Sequence, residues 1–200
     1  MTPEGVLHPV RFPEELGRHV MKNLFALFVI LAASALAQSP QQMPPPSQQQ
    51  LVMGYFVGDW NLTGTAKISP NGPSSPYRAT EHGEWVQGQY FVEIRSVSHG
   101  PLGDIHGVRM LEYNPADSTY TYNAYNSLGE HTVATGKFEN GNTWTWTAVE
   151  KMNGVATNGR YTVVLTSNNN FNFKSEVQDA KGAWATVLEG KATRVNPPQQ

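Results

Sequence analysis

Gly58-Asp59-Trp60-Asn61-Leu62-Thr63-Gly64-Thr65 is the stretch on which the fold turns. Trp60, Leu62, Gly64, Ala66 and Ile68 fall on one face of a two-residue repeat, and Asp59, Asn61, Thr63, Thr65 and Lys67 on the other. An apolar face backed by a wet one is what a strand shows when one side meets a core. Gly58 permits a sharp turn into the strand, and the Trp60 indole is large enough to plug the end of a barrel. Gly64 leaves room for a neighbouring backbone. The stretch therefore reads as the first strand of an antiparallel β-barrel.

Downstream, strand patterns alternate with turn signals. Strands are expected at 77–87, 90–98, 105–113, 119–127 and 130–138, then at 143–149, 156–166, 171–177 and 183–195. Asn114-Pro115-Ala116-Asp117 and Asn140-Gly141 mark turns between them. The segment 51–57 is apolar and brief, as a helical lid over one barrel end would be. No segment sustains a 3.6-residue period. The pattern predicts an all-β domain, a single up-and-down antiparallel barrel of about ten strands, with a two-sheet sandwich as the alternative.

Upstream, Lys22 precedes the uncharged apolar run 24–33, and Ala35-Leu36-Ala37 follows as a small-x-small cleavage signal. Residues 1–37 are expected to be a signal peptide cut after Ala37, with Met21 as its natural start and a long n-region as the alternative. The run is too short to span a bilayer as a permanent helix. Residues 38–50, rich in Pro and Gln, read as a disordered spacer, 51–196 as the barrel domain, and 197–200 as a disordered tail. The expected location is the periplasm or the medium.

Composition removes several function classes. Fourteen Lys and Arg balance sixteen Asp and Glu for a formal net charge of -2, so the chain carries no basic footprint for nucleic acid and no polybasic patch for a membrane. It has no cysteine, which excludes disulfides, thiolate metal sites, cysteine nucleophiles and lipoprotein anchoring. No nucleophile elbow, metalloprotease helix or phosphate loop is present. No catalytic set, metal or cofactor is expected.

The Gly58-x-Trp60 opening resembles that of the calycin superfamily, the lipocalins and fatty-acid-binding proteins. In that superfamily a basic residue on the last strand packs over the first-strand tryptophan. The resemblance implies that role for Arg194, so Gly58, Trp60 and Arg194 are expected to close the barrel. More closely, Phe56-Val57-Gly58-Asp59-Trp60, Glu84 to Phe91 and Gly107 to Asn114 resemble bacterial secreted proteins grouped as a domain of unknown function, the 1579 family. That likeness covers most of 55–195 and implies a fold without an activity. One calycin branch, the nitrobindin-like proteins, holds haem through a histidine near the C-terminus. The last histidine here is His131, so that role does not carry over.

Candidate ligand-binding side chains follow from shared strand faces. His82 and Glu84 share one, where they form either an acid/base or ligand pair or two solvated groups. Glu93 and Arg95 share another with Phe91 and Val97. Pointing inward, Glu93 would pair with Arg95 or Arg109, because a buried charge needs a partner; pointing outward, it would make a surface ion pair. Tyr122 and Trp146, with Tyr120 and Trp144, either line a pocket or fill a core. The primary expectation is an exported barrel that binds a small apolar or amphipathic ligand. The alternatives are a solid barrel acting through its surface in an envelope assembly, and an isomerase or hydrolase built on the same lumen groups.

Overall fold

A computed structural model describes residues 44–152, 155–179 and 181–196. The predicted signal peptide, residues 38–43 of the spacer and the 197–200 tail lie outside the described residues. Within the stretch read as spacer, Gln48–Leu51 forms one helical turn, α1. Ser47 caps it reciprocally: its Oγ accepts from the Gln50 amide, and its own amide donates to Gln50 Oε1 at 2.7 Å. The Tyr120 hydroxyl then donates to the Gln49 carbonyl at 3.0 Å, tying the turn to the barrel. The apolar segment that follows winds into a 3-10 helix, Val52–Phe56.

Ten strands come next: β1 (Gly58–Ala66), β2 (Ser75–Trp85), β3 (Phe91–Gly100), β4 (Gly103–Asn114) and β5 (Thr119–Asn126). The second half contains β6 (His131–Glu139), β7 (Thr143–Met152), β8 (Val155–Ser167), β9 (Asn170–Gln178) and β10 (Trp184–Arg194). Each pairs antiparallel with its sequence neighbour, and β1 pairs with β10 to close the barrel. The expected boundaries hold within a few residues. Asn140 and Gly141 take positive φ values of 54° and 71° at the β6–β7 hairpin, as a primed turn requires. Ile68, expected on the inner face of β1, lies beyond the strand and is exposed.

The 3-10 helix closes one end. Met53 and Phe56 are buried beneath it with Trp60, Trp144 and Phe171. The Trp60 indole donates to the Phe56 carbonyl, and its ring lies 5.0 Å from Phe171. Arg194 crosses over this indole at 4.2 Å and donates to the carbonyls of Val57 and Tyr55. Gly58, at φ 105°, makes room for it, since a Cβ there would come within 2.8 Å of the guanidinium.

Gly64 and Gly190 face each other across the closing seam. A Cβ on Gly64 would lie 2.0 Å from the Glu189 carbonyl oxygen, so the two strands touch backbone to backbone. Gly64→Ala should therefore force the seam apart and lower stability by about 1–3 kcal/mol. Urea unfolding measures this, and an unchanged midpoint would show that the seam is loosely packed.

Candidate functional site

The interior divides into a filled half and a hollow half. Reading each strand's inward residues from the closed end, β5 presents Tyr120, Tyr122 and Ala124, and β7 presents Trp144, Trp146 and Ala148. β8 runs Val163, Tyr161, Gly159, and β9 runs Phe171, Phe173, Ser175. On β5, β7 and β9 the side chains shrink toward the other end, and β8 finishes there in Gly159, while Tyr77 on β2 and Leu188 on β10 keep their bulk at that end. Near the lid the rings pack face to edge, with Phe56 5.6 Å and Tyr120 4.5 Å from Trp144. Beyond them a cavity of about 260 Å³ remains, lined among others by Arg109, Tyr122, Trp146, Tyr161, Ser96 and Ser175. Trp144 and Tyr120 thus belong to the core, and Trp146 and Tyr122 to the cavity wall.

One ion pair crosses this lumen. Arg109 Nη2 lies 2.6 Å from Glu81 Oε2, and both side chains are largely buried. Glu81 shares a register row with Ser96 and Gly107, whose small size leaves the path by which Arg109 reaches it. Burial disfavours the Arg109 charge, but the Glu81 carboxylate more than offsets this and raises its pKa well above the ordinary value. Burial, reinforced by the charge of Glu81, pushes the Tyr161 phenol well up and raises Tyr77 likewise. Both phenols stay protonated at neutral pH. The lumen is a set of aromatic walls with fixed hydrogen-bond donors.

Arg109 was expected near the lumen and lies there, but its partner is Glu81, not Glu93. The pair Glu93–Arg95 meets at 2.7 Å on the outer face of β3, with Arg95 mostly in solvent. The inward face of β3 is instead Val92, Ile94 and Ser96, because their cross-strand neighbours Gly83 and Leu111 are interior. His82 and Glu84 share a face as predicted, and that face is also outward. His82 Nδ1 pairs with Asp59 at 2.6 Å in solvent. Glu81 was missed, although the alternate phase of β2 (Tyr77, Ala79, Glu81, Gly83, Trp85) carried the signal as one carboxylate among apolar and small residues.

A larger concavity, about 810 Å³, is an open groove on this outer face, bordered by Asp59, His82, Arg95, Val97, Val108 and Tyr125. Asp59 with His82 and Arg95 with Glu93 already satisfy one another there, and water reaches them. The smaller lumen has the enclosure that a ligand site needs. Among the described residues no group of three or more His, Cys, Asp or Glu side chains gathers to hold a metal ion.

On the barrel wall Arg160 donates to Glu176 through Nε at 2.9 Å and Nη2 at 2.7 Å, and Lys174 joins at 3.1 Å. Burial opposes the Glu176 charge, but these hydrogen bonds prevail and lower its pKa below the usual 4.5. A depressed carboxylate stabilises the fold above its unfolded pKa, and that contribution disappears as pH falls through the folded value. Stability curves of the protein and of Glu176→Gln should thus diverge at neutral pH and converge in acid. Parallel curves from pH 7 to pH 3 would contradict this pairing.

Comparisons place the barrel among known folds. A search of curated proteins finds no match. The crystal structure of Rv2717c from M. tuberculosis is similar at TM-score 0.57 and 10% identity, over 75% of this chain and 99% of that one. An S-type phycobiliprotein lyase, CPES from Guillardia theta, is similar at TM-score 0.51 and 9% identity, over 76% and 99%. At such identities the likeness is one of fold. The sequence itself goes further: residues 45–194 match the family described as Protein of unknown function (DUF1579), and the chain belongs to that family.

Proposed function

We propose that the protein is an exported barrel that holds a small apolar or amphipathic ligand in its lumen. One observation carries this reading: the cavity of about 260 Å³, walled by aromatic rings, with Arg109 at mid-depth and small residues toward its mouth. A barrel evolved only as a solid scaffold has no reason to bring Ala124, Ala148, Gly159 and Ser175 together at one depth, since unfilled volume costs stability. The catalytic alternative drew on Glu93, Arg95 and Arg109 or on His82 and Glu84 in the lumen; of these Arg109 alone lies there, already paired with Glu81, and the other four face outward. Export rests on the order of Lys22, the apolar run and Ala35-Leu36-Ala37.

The test is native mass spectrometry of the protein purified from its own host's envelope fraction, compared with its denatured mass. The expected result is a mature chain beginning at Gln38 and an added mass lost on denaturation. A bare mass, with no uptake from a panel of lipids and haem, would overturn the carrier reading. An intact N-terminus in the cytoplasmic fraction would overturn export.

A further inference from the structure

Two buried donors in the lumen have no acceptor within the protein: Arg109 Nε and Trp146 Nε1. Trp146 is 2% exposed, and both residues line the cavity. A donor kept from both water and an acceptor costs as much as a lost hydrogen bond, so such a pair beside a cavity marks where a ligand's acceptor atoms belong. The rings between them supply the walls. Tyr122 lies 5.9 Å from the Arg109 guanidinium carbon and 5.9 Å from the Trp146 ring, and Tyr161 lies 6.1 Å from Trp146.

Charge then selects the kind of acceptor. Among the described residues lining the cavity the cations are Arg109 and Arg160. Arg109 is balanced by Glu81 at 2.6 Å and Arg160 by Glu176 at 2.7 Å. Glu130 at the mouth is the acceptor for the Asn126 side-chain amide. A carboxylate entering this lumen would find donors but no unbalanced positive charge, and would sit beside Glu81 in a poorly hydrated space. A neutral oxygen acceptor uses the same donors without that cost.

Resting on the carrier reading above, we infer that the ligand's buried end is a neutral acceptor, a ketone, amide or ester carbonyl on a flat apolar body, and not a carboxylate. This separates the site from one built for free fatty acids. Arg109 Nε–H and Trp146 Nε1–H flank the Tyr122 ring, so a ligand with two such oxygens can satisfy both.

The experiment uses probes on one skeleton: 2-acetylnaphthalene, 2-naphthoate and 2-methylnaphthalene, titrated into the protein by calorimetry. The expected order puts the ketone about tenfold tighter than the hydrocarbon, the worth of one good hydrogen bond, and the carboxylate weakest. In a ¹H–¹⁵N spectrum the protein's five tryptophans supply five indole signals. The one lost in Trp146→Phe should move downfield with the ketone and not with the hydrocarbon. Trp146→Phe should also narrow the ratio of ketone to hydrocarbon affinity. Tightest binding of 2-naphthoate would overturn the inference and leave the carrier reading standing. Equal affinity for ketone and hydrocarbon, with a static Trp146 indole signal, would show that water already satisfies both donors and would overturn it too. Failure of all three probes, together with a bare native mass, would instead overturn the carrier reading itself.

Discussion

Glu81→Gln is expected to destabilise the protein by about 3–5 kcal/mol. The substitution keeps the shape and one hydrogen bond but leaves the Arg109 guanidinium as an uncompensated charge at 15% exposure. That loss is a large part of the roughly 5–15 kcal/mol that holds an ordinary domain together. The paired variant Glu81→Met with Arg109→Met should recover most of it, since replacing both partners with apolar groups of similar volume is often neutral or better. Urea unfolding of the two variants decides the matter. A single variant as stable as the parent would show that the pair is solvated in solution.

Trp60→Ala should cost a similar amount, about 3–5 kcal/mol, by emptying the closed end of the barrel. Its indole is 2% exposed, donates to the Phe56 carbonyl at 3.3 Å and carries Arg194 on its face at 4.2 Å. Losing it removes the surface on which both the 3-10 helix and Arg194 rest, so proteolysis should begin within 48–57. Trp184→Ala makes the comparison. Trp184 is 38% exposed and lies on the outer wall, 4.3 Å from the Arg160 guanidinium, and its removal should cost under about 1 kcal/mol. Equal losses at the two positions would mean that Trp60 does not anchor the lid.

The hollow half of the barrel was hidden from a linear reading for a simple reason. In an up-and-down barrel successive strands run in opposite directions, so the small residue comes late on β5 and β7, at Ala124 and Ala148, and early on β8, at Gly159. Trp144, Trp146 and Ala148 look like an ordinary apolar face until they stand beside Val163, Tyr161 and Gly159. Only then do Ala148 and Gly159 meet at the same depth and leave a space.

What the sequence determined by itself was the class of fold and the inward faces of β1, β5 and β7. Alternation and the Asn140-Gly141 turn are local properties, whereas the seat of Arg194 over Trp60 joins the first and last strands of the barrel and was implied by the family resemblance. What only the tertiary structure decided was which mixed face turned inward, and who paired with whom. On β3 the faces Phe91-Glu93-Arg95-Val97 and Val92-Ile94-Ser96 are both partly apolar, and period two says which residues travel together without saying which set is inside. Closure settled it, because Gly83 and Leu111 on the flanking strands are interior and place Ile94 and Val92 between them. The Glu81–Arg109 pair arises the same way: their chain positions are far apart, and a buried charge takes the partner that the register brings within reach.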